Sequence, residues 1–205
     1  AYLAKLPIQT NNQKNLWYVN TIANFVDIGL AFWEKDDGSI EKLGDFSQLG
    51  DYKKPALMHS QAFILNIEQN KKGHLWLYIK AKHFALPLSV KLFKDEAFHH
   101  QQFIINAVTI ASISIMLTLA FIALIIYFRI RQTVILACAG YLGFMGIGWA
   151  AASGFIDVFF SISSFNTAYG GIYIFPLAIA SASQFTKLLF NAQQDHPKLA
   201  YGLNL

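Results

Sequence analysis

The spacing of hydrophobic positions changes character once along this chain. Up to about residue 102 apolar and polar residues alternate; from residue 103 onward apolar residues run together for long stretches. In residues 24–34 (NFVDIGLAFWE), Val26, Ile28, Leu30 and Phe32 fall on one side of a strand, and Asp27, Gly29, Ala31 and Trp33 on the other. The first row is the more apolar and is expected to face the core. Asp36, Asp37, Gly38 and Ser39 supply a turn, because glycine tolerates positive φ and aspartate closes an Asx-turn. Residues 40–44 then form the return strand of a hairpin. A looser stretch, 45–55, is rich in Gly, Asp and Lys. Residues 58–68 and 74–82 alternate on either side of a turn at Lys71, Lys72 and Gly73. Leu88, Val90 and Leu92 make the inner row of a strand over 86–94, and 3–8 and 16–20 complete a set of seven. Short strands separated by turn signals predict an all-β, jelly-roll-like sandwich over residues 1–100. A domain of about 100 residues buries enough surface to hold its own core.

The second regime begins with FIINAVTIASISIMLTLAFIALIIYF, residues 103–128, which contains no Asp, Glu, Lys or Arg. As a helix it is about 39 Å long, sufficient for a hydrocarbon core of about 30 Å. It has no polar stripe of the kind a soluble core helix carries. Residues 133–156 and 168–187 are the second and third expected spans, with the second ending near Gly154. Residues 188–205 form a tail or the start of a further membrane region. Arg129, Arg131, Lys187 and Lys198 fall on one side of a three-span arrangement and Asp157 on the other. Short loops rich in Lys and Arg stay in the cytoplasm. Lys35, Lys53 and Lys71 are therefore expected outside the cytoplasmic membrane, with the C-terminus inside. Gly146, Ala150 and Gly154 recur every fourth residue, a spacing that lets another helix approach closely. Pro176 is expected to loosen the third span.

Composition agrees with this division. Only 14% of residues are charged, against about 25% in soluble proteins, and mean hydropathy is +0.38. Ten of the twelve acids and twelve of the sixteen bases precede residue 101, so the net charge of +4 is no nucleic-acid signal. The lone cysteine, Cys138, lies in an apolar run and excludes an internal disulfide framework. The six histidines have no metal-ligand spacing, and no cofactor motif is present; His99 and His100 suit the interfacial entry to the first span. The intramembrane acids, lysines or histidines of a proton or ion pathway are missing, which argues against a pump. Residues 1–8 carry no apolar run of signal-peptide length, consistent with its removal or with a fragment.

Trp33, Trp76 and Tyr78 lie opposite the clearest apolar rows. Two readings stay open: packing residues under a covering segment, or a platform that stacks on sugar rings with Asp27, Asn20 or His59 as polar partners. A glycan hydrolase needs two positioned carboxylates. Asp27, Glu34 and Glu68 form no convincing pair, so no enzyme is expected in this stretch.

The order of parts resembles the bacterial seven-transmembrane receptors with diverse intracellular signalling modules, in the variant bearing their second type of extracellular domain. The similarity passes through Leu16-Trp17-Tyr18-Val19, DIGLAFWEKDDGSIEKLG (27–44), 59–65, 75–80 and Leu86-Pro87-Leu88. In the membrane part it rests on YFRIRQTVILACAGYLG (127–143) and on 185–199. The family's Gly-rich start and Tyr-Asn pair in the first helix are not found here, and three spans replace seven. The resemblance implies a receptor fragment whose outer domain binds a small ligand, a carbohydrate among the classes that fit. Its helices would relay occupancy to a cytoplasmic output such as a diguanylate cyclase or histidine kinase. The competing expectation is a membrane-anchored module that self-associates or docks a periplasmic protein. The bilayer is a partner in either case.

Overall fold

The computed structural model describes residues 1–9, 16–21, 26–46, 61–66, 71–81, 89–160 and 167–202. The chain divides into two compact units, Ala1–Ala107 with Ser153–Ala168, and Val108–Ala152 with Tyr169–Leu205.

The first unit holds seven strands among the described residues: β1 (Tyr2–Gln9), β2 (Leu16–Thr21), β3 (Ile28–Lys35), β4 (Ile40–Asp45), β5 (Gln61–Asn66), β6 (Lys72–Lys80) and β7 (Val90–Lys94). They form two antiparallel sheets, ordered β1-β6-β3-β4 and β5-β2-β7. The pairing is nested: β1 with β6, β2 with β5, β3 with β4, as in a long hairpin folded back on itself, with β7 added beside β2. The two sheets share one core. Ala31, Trp33, Leu75, Leu77 and Ile79 of the four-stranded sheet pack with Val19, Phe63 and Leu65 of the three-stranded one. Phe46 fills the space beside them, its ring stacked on Phe63 at 5.4 Å.

The β3–β4 hairpin closes as its residues require. Gly38 has φ of 81°, and the Lys35 and Ser39 backbones bond at 2.9 Å. The Asp37 carboxylate accepts from the Ser39 N–H and hydroxyl at 2.8 and 2.6 Å, which lowers its pKa.

Three expectations need correction. The inner row of β3 is Gly29, Ala31 and Trp33, while Ile28, Leu30 and Phe32 point to the other face. The space explains this: a side chain at position 29 would collide with the Phe46 ring. Gly73 is no turn residue but lies inside β6, where a Cβ would meet the Trp33 indole and the Glu34 carbonyl. Absence of a side chain at 73 is what admits the indole. Finally, Val90 packs on the core as expected, but Leu92 stays 45% exposed on the edge strand β7.

Strand β7 passes directly into helix α1 (Asp95–Ile130), which begins eight residues before the apolar run. Asp95 and Glu96 in its first turn complement the positive end of the helix dipole, and His99 pairs with Asp95 one turn on, at 3.4 Å. Phe98 is buried, its ring stacked on Tyr18 of β2 at 4.1 Å and 2°. Ala62 and Phe93 complete this second cluster. The head of α1 thus covers the outward side of the three-stranded sheet at Tyr18 and Ala62, while Ile64 beside them stays exposed. Burial, with Asp95 nearby, pushes the Tyr18 hydroxyl pKa up.

The second unit is helical. The rest of α1, α2 (Thr133–Ala152) and α4 (Ala168–Leu189) are long and apolar enough to cross a membrane, and α5 (Ala192–Asp195) and α6 (Pro197–Gly202) follow α4; the short α3 (Phe155–Phe160) belongs to the first unit. Helix α2 runs antiparallel to both α1 and α4. Gly143 and Gly146 of α2 face Ala120 and Leu117 of α1, whereas Gly140 and Gly148 face Ser181 and Phe175 of α4. The end of α1, the start of α2 and the end of α4 therefore lie together, and so do Arg129, Arg131 and Lys187. Lys198 falls in α6. Of the expected small-residue ladder, Gly146 is a packing position. Gly154 instead terminates α2 with φ of 79° and has open space around it. Helix α4 continues through Pro176.

Candidate functional site

The two sheets differ in what happens on their outward sides. The three-stranded sheet is covered in part by the head of α1, through Phe98 on Tyr18 and Ala62. The four-stranded sheet presents a grid of side chains fixed by strand register. One row reads Pro7, His74, Glu34 and Ile40; the next Lys5, Trp76, Phe32 and Lys42; the third Leu3, Tyr78, Leu30 and Asp45. Alternation puts these opposite the buried Leu75, Leu77 and Ile79. His74, Trp76, Tyr78, Phe32 and Glu34 are half-buried, and Lys5 and Lys42 are exposed.

The centre of this grid is ordered by one carboxylate oxygen. The Trp76 indole N–H donates to Glu34 Oε2 at 2.6 Å. Lys5 Nζ lies 3.2 Å from the same oxygen, and His74 Nδ1 lies 3.5 Å from it. The Lys5 ammonium also sits 4.5 Å from the Trp76 ring centroid. With side-chain exposures of 42% for Lys5, 27% for Glu34 and 42% for His74, the group is accessible to solutes. The indole N–H first, and Lys5 second, hold the Glu34 carboxyl below its ordinary value of 4.5.

A lowered folded-state pKa fixes the sign of the pH effect. The stabilisation is complete above the unfolded value, near 4.5, and is lost as pH falls through the lower folded value. Thermal unfolding of the full chain in detergent between pH 7 and pH 3 is expected to show this loss. Glu34→Gln should flatten part of the slope; an identical slope in wild type and variant contradicts the assignment.

Trp76 and Tyr78 therefore lie together on an accessible face, as the sequence suggests. Trp33 does not join them. It is 5% exposed and belongs to the core, because β3 turns its glycine, alanine and tryptophan inward. Asp27 sits at the entry to β3, just past the Ile28–Lys80 pair, where its N–H donates to the Lys80 carbonyl at 3.0 Å, and it is not part of the row around Trp76. Asn20 is buried in β2 of the other sheet. His59 lies outside the described residues. Sequence reasoning missed Lys5, His74, Phe32 and Lys42 as companions of Trp76, and saw Glu34 only as an unpaired carboxylate. Shared parity with Trp76 was a signal for His74, but the others needed the β1–β6 and β3–β6 registers. Among the described residues, no group of three or more His, Cys, Asp or Glu is placed to hold a metal.

The helical unit offers a different kind of recess. An open groove of about 410 Å³ between α2 and α4 is lined by Tyr141, Met145, Phe175 and Ile179 among others. Its lining carries no charge, so it suits packing of apolar chains rather than recognition of a polar solute. No protein-family model, curated protein or solved structure matches this chain.

Proposed function

We propose that this chain is the sensor part of a bacterial membrane receptor, with the open face of its four-stranded sheet as the binding surface for a small saccharide. The observation that carries the reading is the Trp76–Glu34 pair. The indole edge is fixed by the carboxylate, so the ring is held ready at little entropic cost. Phe32 and Tyr78 extend the aromatic floor. All three contacts to Glu34 fall on Oε2, which leaves Oε1 to accept from a ligand hydroxyl. Apolar faces that stack and hydroxyls that need both donors and acceptors are the chemistry of a sugar.

In this reading the sheet unit is jelly-roll-like and periplasmic; the nested pairing of β1/β6, β2/β5 and β3/β4 supports the first part, and the Arg129, Arg131 and Lys187 end of the helices supports the second. Helix α1 is the natural relay, since it is docked on the sheet unit through Phe98 and continues unbroken to Ile130. A ligand with unequal affinity for two arrangements of that unit would shift the population of α1 positions. The output would be a cytoplasmic module such as a diguanylate cyclase or histidine kinase, as in the seven-helix receptors the sequence resembles.

A second reading, docking of a periplasmic protein or a second copy, is favoured by one observation. The edge strand β1 exposes Tyr2 and Leu3 by more than 60% each. A thermal-shift screen of the full chain in detergent against short oligosaccharides separates the two. A stabilising sugar whose effect disappears in Trp76→Ala supports the sensor reading. A concentration-dependent dimer with no response to any sugar supports docking instead.

A further inference from the structure

We infer that the ligand of the open face is an acidic oligosaccharide, one bearing carboxylates, rather than a neutral one. This rests on the saccharide reading above and narrows it. The aromatic centre is surrounded by lysines. In the row through Trp76 and Phe32, Lys5 and Lys42 stand at the two ends, three strand spacings or about 14 Å apart. Along β6, Lys72 and Lys80 each lie four residues from Trp76 on the same face, about 13 Å away in either direction. Among the described residues, the face sets two carboxylates, Glu34 and Asp45, against these four lysines. Glu34 is already engaged by Lys5, the indole N–H and His74.

The placement of Lys5 fits the same ligand. An ammonium over the Trp76 ring covers part of the surface on which a neutral sugar would stack, and a neutral sugar offers nothing to draw it away. A sugar carboxylate does: Lys5 has three hydrogens, and contact with Glu34 Oε2 leaves others to donate to a second anion. Stacking on the aromatics would then fix the sugar rings, while the peripheral lysines read the acidic groups and speed encounter.

The test uses the full chain in phosphatidylcholine nanodiscs, titrated with tetragalacturonate, with maltotetraose and with dextran sulfate. Tetragalacturonate is expected to bind at least about tenfold more tightly than maltotetraose, with an advantage that shrinks as salt rises. Lys42→Gln, an exposed position on an edge strand, should weaken it by about fivefold. Lys94→Gln on the other sheet should not. Trp76→Ala should weaken it by about tenfold or more. Equal binding of both tetrasaccharides, lost in Trp76→Ala but indifferent to Lys42→Gln, overturns the acidic specificity and leaves the saccharide reading standing. Equal losses in Lys42→Gln and Lys94→Gln reduce the effect to bulk charge and overturn it as well. Dextran sulfate binding undiminished by Trp76→Ala, with no tetragalacturonate bound, marks a generic polyanion surface. Binding of none of the three overturns both this inference and the reading beneath it.

Discussion

Trp33→Ala is expected to destabilise the chain by about 3–5 kcal/mol, the range for truncating a buried tryptophan. The indole is 5% exposed, packs with Leu75 and Leu77, and occupies the space that Gly73 leaves empty. Removing it creates a cavity that the surrounding strands, held by β3–β6 pairing on one side and β3–β4 pairing on the other, cannot close. Trp76→Ala should behave differently. Its ring lies on the open face, and truncation there opens to solvent instead of forming a void, so the loss should be clearly smaller. Thermal unfolding of both variants of the full chain in detergent decides the matter. Equal losses would mean that the face is covered and Trp76 is packing, and the ligand-binding proposal would then be dropped.

The second large effect belongs to Phe98. It is 1% exposed, stacks in parallel on Tyr18 at 4.1 Å, and is the one α1 residue in the cluster with Tyr18, Ala62 and Phe93. Phe98→Ala is expected to cost about 3–5 kcal/mol. The loss should be concentrated locally: hydrogen exchange should accelerate over Asp95–Gln102 and β2 before it does in β3 and β6. Uniform acceleration across both sheets would show that the Tyr18–Phe98 contact is not a separate joint. If α1 carries the signal, the same variant should bind ligand normally and fail to transmit it.

Much of this architecture was legible in the sequence, for reasons that differ by element. All seven strands lie within or beside segments of period-two alternation, and the three apolar helices follow from length and the exclusion of charge. The Asp36–Ser39 turn was readable because its chemistry is local: a positive φ at Gly38 and a side chain two residues from its partner. The facing of β3 was not. Both of its rows are apolar, and the inner one contains Gly29 and Ala31 because Phe46, distant in sequence but bonded through its N–H to the Gly29 carbonyl, already fills that space. Small residues at inner positions look like an outer row when their large neighbours come from elsewhere. The same non-locality hid the Trp76 site. Glu34 and Trp76 are 42 residues apart, and Lys5 joins them only through the pairing of β1 with β6. The early start of α1 was missed because Asp95–Gln102 is polar in composition, with Phe98 the one buried residue in it.

A sheet unit that senses a periplasmic saccharide must stand on the opposite side of the membrane from the arginines at the end of α1. Single cysteines at position 42, in β4, and at position 132, between α1 and α2, test this in a Cys138→Ser background. Spheroplasts of a bacterial host expressing the full chain are treated with a membrane-impermeant maleimide before and after lysis. The expected result is labelling at 42 in intact spheroplasts and at 132 only after lysis. Labelling at 132 in intact spheroplasts, with 42 reached only after lysis, would contradict it.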